Sequence, residues 1–409
     1  MKVLVVHNAY QQSAGEDRVV AAEIKQLVAH GDSVVRYDRH NDELRAIGPI
    51  GAITAAVQTI WASHSYRAIR ELLSREKPDI AHFHNTFPLI SPSAYYACAE
   101  AGVPVVQTLH NYRLLCPGAT LMRNGRVCED CIGSPLPWAG VLHGCYHRST
   151  AQTAVVAGMI AVHHVLRTWK NKVTAYVALS DFARRKFALG GLPFDQIRVK
   201  PNFVHPDPGP KNGRGEYALF VGRLSEEKGL RTLFAAWKRL RHRVPLYIIG
   251  DGPLREELET LAHREGLSHV ALLGAVPPAE ITRWMHGARF LLCPSLWFEG
   301  FPLTVAEAFA CGLPVICSRL GSLQEIVDAE RTGLHFTPGD AADLALAVEW
   351  AWASERQLGM MGRQARVEYE RKYTAERNYR ALIRIYDEVL DSAGKPAMKI
   401  PASVWKAAS

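Results

Sequence analysis

Residues 289–318 read RFLLCPSLWFEGFPLTVAEAFACGLPVICS, and this stretch contains one whole strand–loop–helix–strand unit. RFLLCP (289–294) and LPVICS (313–318) are short apolar runs, each closed by Pro or Ser, of the kind that form strands buried on both faces. Between them, Pro302 suits a first helical turn, and Cys311-Gly312-Leu313-Pro314 suits a helix stop. Glu299 then falls in the loop after the first strand, and Glu307 about two turns into the helix.

The same grammar extends upstream. YALFVG (217–222), PLYIIG (245–250) and HVALLG (269–274) are further short strands, each ended by Gly, so the C-terminal half reads as one doubly wound sheet. The N-terminal half repeats the pattern with KVLVVHN (2–8), SVVRYD (33–38), DIAHFHN (79–85), VPVVQTLH (103–110) and VTAYVALS (173–180), with helical patterns between them. VKPNFVHPDPGPKNGRGE (199–216), with four prolines and three glycines, reads as the linker. The expected fold is α/β: two Rossmann-like, doubly wound parallel-sheet domains, 1–200 and 201–374, facing a central cleft, followed by 375–409 with an amphipathic helix and a tail. Ligands of such sheets bind outside the carboxyl ends of the strands.

Composition narrows the class. A chain of 409 residues exceeds one ordinary core, and 48% hydrophobic with 22% charged residues is that of a soluble globular protein. The N-terminus enters a strand at once, so no signal peptide is expected and a cytoplasmic location is. AVVAGMIAVHHVL (154–166) is short for a membrane span and carries two histidines, so it is expected as a buried helix. The net charge of +8 is uneven. Residues 1–200 hold 22 Lys and Arg against 15 Asp and Glu, an excess of +7; the remainder holds 26 against 25. That basic half fits an acidic substrate or an anionic membrane surface. Nucleic acid is disfavoured, because no aromatic-rich basic strip or zinc-finger spacing accompanies the charge.

Neither sheet opens with G-x-G-x-x-G or G-x-x-x-x-G-K-[ST], which argues against nicotinamide dehydrogenases and P-loop nucleotidases. GRLSEEKG (222–229) follows a strand instead and brings Arg223 and Lys228 to the cleft. A guanidinium fork and an ammonium point charge suit a diphosphate; a solvated helix-start loop is the plain alternative. The loop and helix start around Glu299 and Glu307 present free backbone N–H groups to an anion. One glutamate then reaches each end of a ligand with the anion between, as a nucleotide-sugar would require. The alternative is two unrelated surface glutamates.

Together these residues resemble the retaining GT-B glycosyltransferases of family GT4. The likeness covers nearly the whole chain: an N-terminal Gly loop at Gly15, a histidine closing VPVVQTLH, then FVGRLSEEKG, IIGDGP with Gly250, CPSLWFEGFPLTVAEAFACGLPVI and EIV. The resemblance implies that Arg223 and Lys228, beside Gly222, bind the donor diphosphate. It implies that Glu299 holds donor-sugar hydroxyls and Glu307 the ribose hydroxyls, with Gly300, Phe301, Pro302 and Leu303 lining the phosphate and sugar. His110 is the implied active-site histidine, with Asn111 orienting its loop. Ala14 stands where the family's usual loop has a second glycine.

The implied donor is a UDP-, GDP- or ADP-sugar, the acceptor a saccharide or lipid-linked saccharide in polysaccharide or lipopolysaccharide assembly, and the last helix packs back on the first domain. No Asp-x-Asp pair is present, so no metal is expected for the transfer step. The rival readings are a nucleotide-sugar epimerase on this fold and a non-catalytic binding protein.

One segment is not generic. CPGATLMRNGRVCEDCIGSPLPWAGVLHGC (116–145) holds four of the eight cysteines, Cys116, Cys128, Cys131 and Cys145, in a Gly/Pro-rich stretch not expected in the core. They supply four thiolates for a structural zinc, with His143 or His147 able to replace one; free thiols and disulfides are the alternatives. The segment follows His110 and is expected to wall the acceptor side. Cys98, Cys293, Cys311 and Cys317 sit in strand or helix patterns and read as buried small hydrophobes.

Overall fold

The computed structural model describes residues 1–11, 15–44 and 49–394. Ala14 and the tail 395–409 lie outside the described residues. The strands are β1 (Lys2–Ala9), β2 (Ser33–His40), β3 (Ile80–Asn85), β4 (Val105–Leu109), the two-residue hairpin pair β5 (Met122–Arg123) and β6 (Arg126–Val127), β7 (Ala175–Ala178) and β8 (Ile197–Val199). The chain continues with β9 (Tyr217–Val221), β10 (Leu246–Ile249), β11 (Val270–Gly274), β12 (Ala288–Cys293), β13 (Val315–Ser318) and β14 (Gly333–Phe336). The first sheet runs β2-β1-β3-β4-β7-β8 and the second β11-β10-β9-β12-β13-β14, all parallel.

Alternation within the strands builds a core on each face of each sheet. In β1, Leu4 and Val6 pack with Phe83, Tyr95 and Tyr176, whereas Val3 and Val5 pack on Tyr386 and Val389 of the Ala375–Ser392 helix, which thereby lies on the first sheet. In β12, Phe290 and Leu292 join one cluster and Leu291 and Cys293 the other. Fully burying each such side chain contributes about 1.5–3 kcal/mol.

The structure departs from the sequence expectation in several places. β8 and β14 were not anticipated, being three- and four-residue edge strands with polar residues between their apolar ones. The expected linker is not a loose tether where it starts, since Lys200, Asn202 and Phe203 are buried. Residues 154–166 lie mostly in the helix Thr150–Val165, which buries Val156, Met159, Ile160 and His163 but leaves Val165 77% exposed; it is a surface helix with one apolar face turned inward. No helix among the described residues is long and apolar enough to cross a membrane. Pro302 adopts an extended backbone and precedes the helix Leu303–Ala310, so Glu307 sits little more than one turn in. Cys116 and Leu121 belong to the first core, contrary to the expectation for 116–145, because their side chains turn inward from a loop-rich backbone; Leu115 just before them packs there too.

Gly229 ties the second sheet's loops together. Its φ is +71°, and a Cβ there would lie 1.8 Å from the Pro294 carbonyl oxygen at the end of β12. Gly229→Ala therefore forces both a left-handed alanine and a backbone collision, and is expected to cost about 2–4 kcal/mol, read as a lowered urea midpoint.

Candidate active site

Strand order reverses in the second sheet between β9 and β12, and that reversal opens a crevice at their carboxyl ends. The loop after β9 carries Lys228 and the loop after β12 carries Glu299. Lys228 Nζ donates to Glu299 Oε1 at 2.7 Å, and Ser295 Oγ donates to the same oxygen at 2.6 Å. Burial pushes the Glu299 carboxyl up, but the ammonium and these hydrogen bonds outweigh it and hold it below the ordinary value. Burial likewise disfavours the Lys228 ammonium, and Glu299 restores it to above its ordinary value. Lys228 also lies 5.5 Å from the centre of the Trp297 ring.

The other expected donor residues surround this pair. Arg223 is exposed and makes no salt bridge among the described residues. Gly222 and Gly250 close neighbouring strands, their N–H groups donating to the carbonyls of Ile249 and Gly274. Phe301 is buried against Tyr373, so only its backbone can face the cleft. No side chain caps the Leu303–Ala310 helix, and its first N–H groups stay available to an anion.

The first domain covers that helix start. A Cβ on Gly15 would lie 3.5 Å from Leu303 Cδ1, and Arg18 Nη2 donates to Glu307 Oε1 at 2.5 Å. The second Glu307 oxygen is buried without a partner among the described residues. Gly300 admits no side chain, because a Cβ there would lie 2.9 Å from the His110 carbonyl oxygen. Thus His110, Gly15 and Arg18 of one domain meet Gly300, Leu303 and Glu307 of the other. Arg18 and Ser295 were missed in the sequence. Arg18 lies one helical turn from Gly15, which is the signal that could have found it.

His110 ends a buried chain of polar groups. Its Nε2 is 3.0 Å from His84 Nδ1, His84 Nε2 is 3.5 Å from Glu23 Oε1, and Lys200 Nζ donates to Glu23 Oε2 at 2.7 Å. Burial drives the His84 imidazole well below its ordinary pKa, and it drives His110 to about 3, although Glu23 opposes both shifts. Both rings are therefore neutral near pH 7. His84 Nε2 makes no hydrogen bond to Glu23 Oε1, which is buried without a hydrogen-bond partner among the described residues. The carboxylate charge 3.5 Å away nevertheless favours the His84 tautomer protonated on Nε2, leaving Nδ1 to accept from His110 Nε2–H. His110 Nδ1 is left as a bare acceptor. Asn111 Nδ2 donates to the Tyr10 hydroxyl at 3.3 Å, and Asn111 Oδ1 accepts the Arg113 backbone N–H at 3.0 Å.

Glu23, His82 and His84 form the only group of three metal-ligating side chains among the described residues whose donor atoms lie within 4.8 Å of one another. In this cluster the Lys200 ammonium pairs with Glu23 Oε2, while Glu23 Oε1 has no hydrogen-bond partner among the described residues. The four cysteines of 116–145 lie beyond His110, with Cys116 and Cys131 buried, Cys128 and Cys145 half-buried, and none in a disulfide. The other four are buried, as expected.

Comparison with known proteins assigns the two halves separately. The family described as Glycosyltransferase Family 4 matches residues 15–208, and that described as Glycosyl transferases group 1 matches residues 204–368. An O-antigen chain mannosyltransferase C of Escherichia coli is 29% identical over 178 residues, 43% of this chain and 47% of that protein. A phosphatidyl-myo-inositol mannosyltransferase of Mycobacterium leprae is 29% identical over 269 residues, 63% of this chain and 69% of that one. The chain spans about half the length of the first curated relatives it matches. The crystal structure of Anabaena HepE in complex with UDP superposes with a TM-score of 0.68 at 16% identity, covering 96% of this chain and 100% of that one, a likeness of fold.

The neutral histidines set a pH dependence. The unfolded chain takes up protons as pH falls below about 6.5, while folded His84 and His110 do not. Stability is therefore complete above pH 6.5 and falls on acidification toward pH 3, by about 2 kcal/mol at pH 5 for His110, with His84 acting in the same direction. Denaturant unfolding between pH 5 and 8 checks this, and His110→Asn should flatten the slope.

Proposed function

The chain belongs to the family 4, or group 1, glycosyltransferases of GT-B fold, and from that premise we propose that it transfers a sugar, with retention at the anomeric carbon, from a nucleotide-diphospho-sugar to a saccharide or lipid-linked acceptor. The observation that carries this reading is the Lys228–Glu299 pair at the second sheet's crevice, beside an uncapped helix start that bears Glu307.

In this reading the diphosphate lies between Arg223, Lys228 and the amides of the Leu303–Ala310 helix start. Glu299 accepts from sugar hydroxyls, and Glu307 exchanges Arg18 for the ribose hydroxyls. The bond from the anomeric carbon to the diphosphate oxygen breaks as the acceptor oxygen attacks from the same face, and the leaving phosphate takes the acceptor's proton. The two cations oppose the charge growing on the leaving group, an electrostatic contribution that needs no acid with a matched pKa. His110 Nδ1, a bare acceptor, suits a donor-sugar hydroxyl. The UDP named with the Anabaena neighbour supports a nucleotide donor, and the two mannosyltransferases support a lipid-linked or polymeric acceptor in cell-surface polysaccharide assembly.

A peripheral contact with an anionic membrane fits the first domain. Trp138, Leu142, Val165 and Leu166 are exposed there, and Arg148, Arg167 and Lys170 are exposed beside them in the chain. Apolar side chains rimmed by cations are what an anionic bilayer surface receives.

A thermal-shift series with UDP-, GDP- and ADP-sugars should single out one donor class, since ligand at a hundred times its Kd adds about 2.7 kcal/mol to the native state. Arg223→Ala should abolish that shift while leaving the unliganded melting temperature unchanged. No shift with any nucleotide-sugar would overturn the donor assignment. Replacing Arg148, Arg167 and Lys170 together by Gln should weaken binding to phosphatidylglycerol vesicles by roughly tenfold, at about 1 kcal/mol or less per charge. Unchanged vesicle binding would remove the membrane reading.

A further inference from the structure

We propose that Cys116, Cys128, Cys131 and Cys145 bind one zinc ion as four thiolates, and that this metal fixes the β5–β6 hairpin as the wall of the cleft facing the Lys228 loop.

The fold gathers these cysteines from three separate turns. Gly118 lies between two of them, since a Cβ there would be 3.7 Å from Cys116 Sγ and 3.7 Å from Cys145 Cβ. Gly140 joins two more: a Cβ there would be 3.5 Å from Cys131 Sγ, and its carbonyl accepts the Cys145 N–H at 3.1 Å. Cys128 follows β6 directly and is carried toward Cys131 by the tight Cys-Glu-Asp-Cys turn, whose Arg123–Asp130 salt bridge at 2.9 Å straps it to β5.

The sulfurs stand wider than in a closed tetrahedral site, because no three of them meet the 4.8 Å spacing that Glu23, His82 and His84 do. Sulfurs about 2.3 Å from one zinc lie within about 4 Å of each other. The half-exposed Cys128 and Cys145, both on loops, are the ones the metal draws inward.

The segment also needs a cross-link. Its regular structure is a pair of two-residue strands and the five-residue helix Trp138–Leu142. Five of the nine non-glycine residues in left-handed conformation among the described residues, Ala119, Leu121, Asn124, His147 and Arg148, fall in or just after it. Each costs about 1–2 kcal/mol. Apolar burial at Leu115, Cys116, Leu121, Cys131 and Val141 anchors it at separate points, while Asn124, Arg126 and residues 133–136 stay exposed between them. A soft, tetrahedral cation held by four thiolates supplies the rest.

The hairpin has a functional position. A Cβ on Gly125, at its tip, would lie 3.9 Å from Glu226 Oε1, two residues from Lys228. Holding the hairpin thus sets one wall of the crevice without touching the reacting groups.

The test is metal analysis of the intact chain purified with zinc present. One zinc per chain is expected, lost in Cys128→Ser and in Cys131→Ser and kept in His143→Ala and His147→Ala. Cobalt exchanged into the site should show thiolate-to-metal charge transfer and tetrahedral visible bands. Should the serine variants fail to fold, stripping the native chain with a mercurial and a chelator replaces them. Hydrogen exchange at residues 122–131 should then accelerate and recover on re-adding zinc, while exchange at Lys228–Leu230 changes less. A chain that binds no zinc, a Cys116–Cys145 or Cys128–Cys131 disulfide, or zinc lost with either histidine would overturn the four-thiolate site. Unchanged exchange in the hairpin would overturn its role as a metal-held wall. Nucleotide-sugar binding is measured separately, so failure here and failure of the donor assignment remain distinct.

Discussion

Lys228 and Glu299 cannot be placed apart. A carboxylate or an ammonium removed from water costs several kcal/mol unless an opposite charge and hydrogen bonds replace the solvent. Here both charges sit where two neighbouring strands of the second sheet end, and each keeps the other ionised. The pair therefore fixes the loops after β9 and β12 relative to each other. Gly229 completes the constraint by letting the first loop cross against the Pro294 carbonyl. Everything expected of the donor site hangs on that junction: the helix start after Pro302, the position of Glu307, and the face from which an anion can approach.

The first domain meets the junction through short-range contacts that tolerate little rearrangement. The His110 carbonyl lies over Gly300, and Arg18 reaches Glu307. On the far side Glu325 accepts the Asp181 and Phe182 amides at 2.8 and 2.7 Å, so a carboxylate of one domain caps a helix of the other. Ser180 and Ser322 hydrogen-bond at 2.7 Å nearby. Apolar packing joins these polar contacts: Phe298 of the second domain is buried in the first domain's core with its ring centre 4.7 Å from that of Phe182, and Leu179 of the first domain joins a core cluster of the second.

How much of this was legible follows from what kind of signal each part leaves. Ten strands announced themselves as apolar runs stopped by Gly, Pro or Ser, because strands buried on both faces need such runs. β8 and β14 did not, since edge strands this short carry too few residues to show a period. Glu299 and Lys228 were legible as residues after strand ends, but their direct pairing was not; 71 residues of chain separate them, and only strand order brings the two loops together. Pro302 was placed one residue too far into the helix, because proline suits both the position before a helix and its first turn. The buried chain behind His110 left no sequence signal. Lys200 stood in what reads as a linker, and Glu23 on a helix as one more polar residue, and each gains its meaning only from the other.

That buried chain bears on how the protein is assembled as well as on the histidine. Lys200 comes from the segment leaving the first sheet, Glu23 from its first helix, and Asn378 from the C-terminal helix, whose carbonyl oxygen accepts from Lys200 at 3.2 Å. Asn378 also donates to the Pro201 carbonyl at 2.7 Å, and Tyr386 of the same helix is 2.6 Å from His82. Lys200 and Glu23 are almost entirely out of solvent, so each is tolerable only while the other is present. The linker exit and the returning helix must accordingly seat together before the Glu23 charge is satisfied. Only then does the carboxylate stand 3.5 Å from His84 Nε2, where its charge favours the His84 tautomer that leaves His110 Nδ1 free. A chain whose C-terminal helix has not docked thus lacks a defined acceptor at His110, even with every residue of the cleft present. The long return of the last helix is, on this argument, part of the candidate site's geometry rather than an appendage to it.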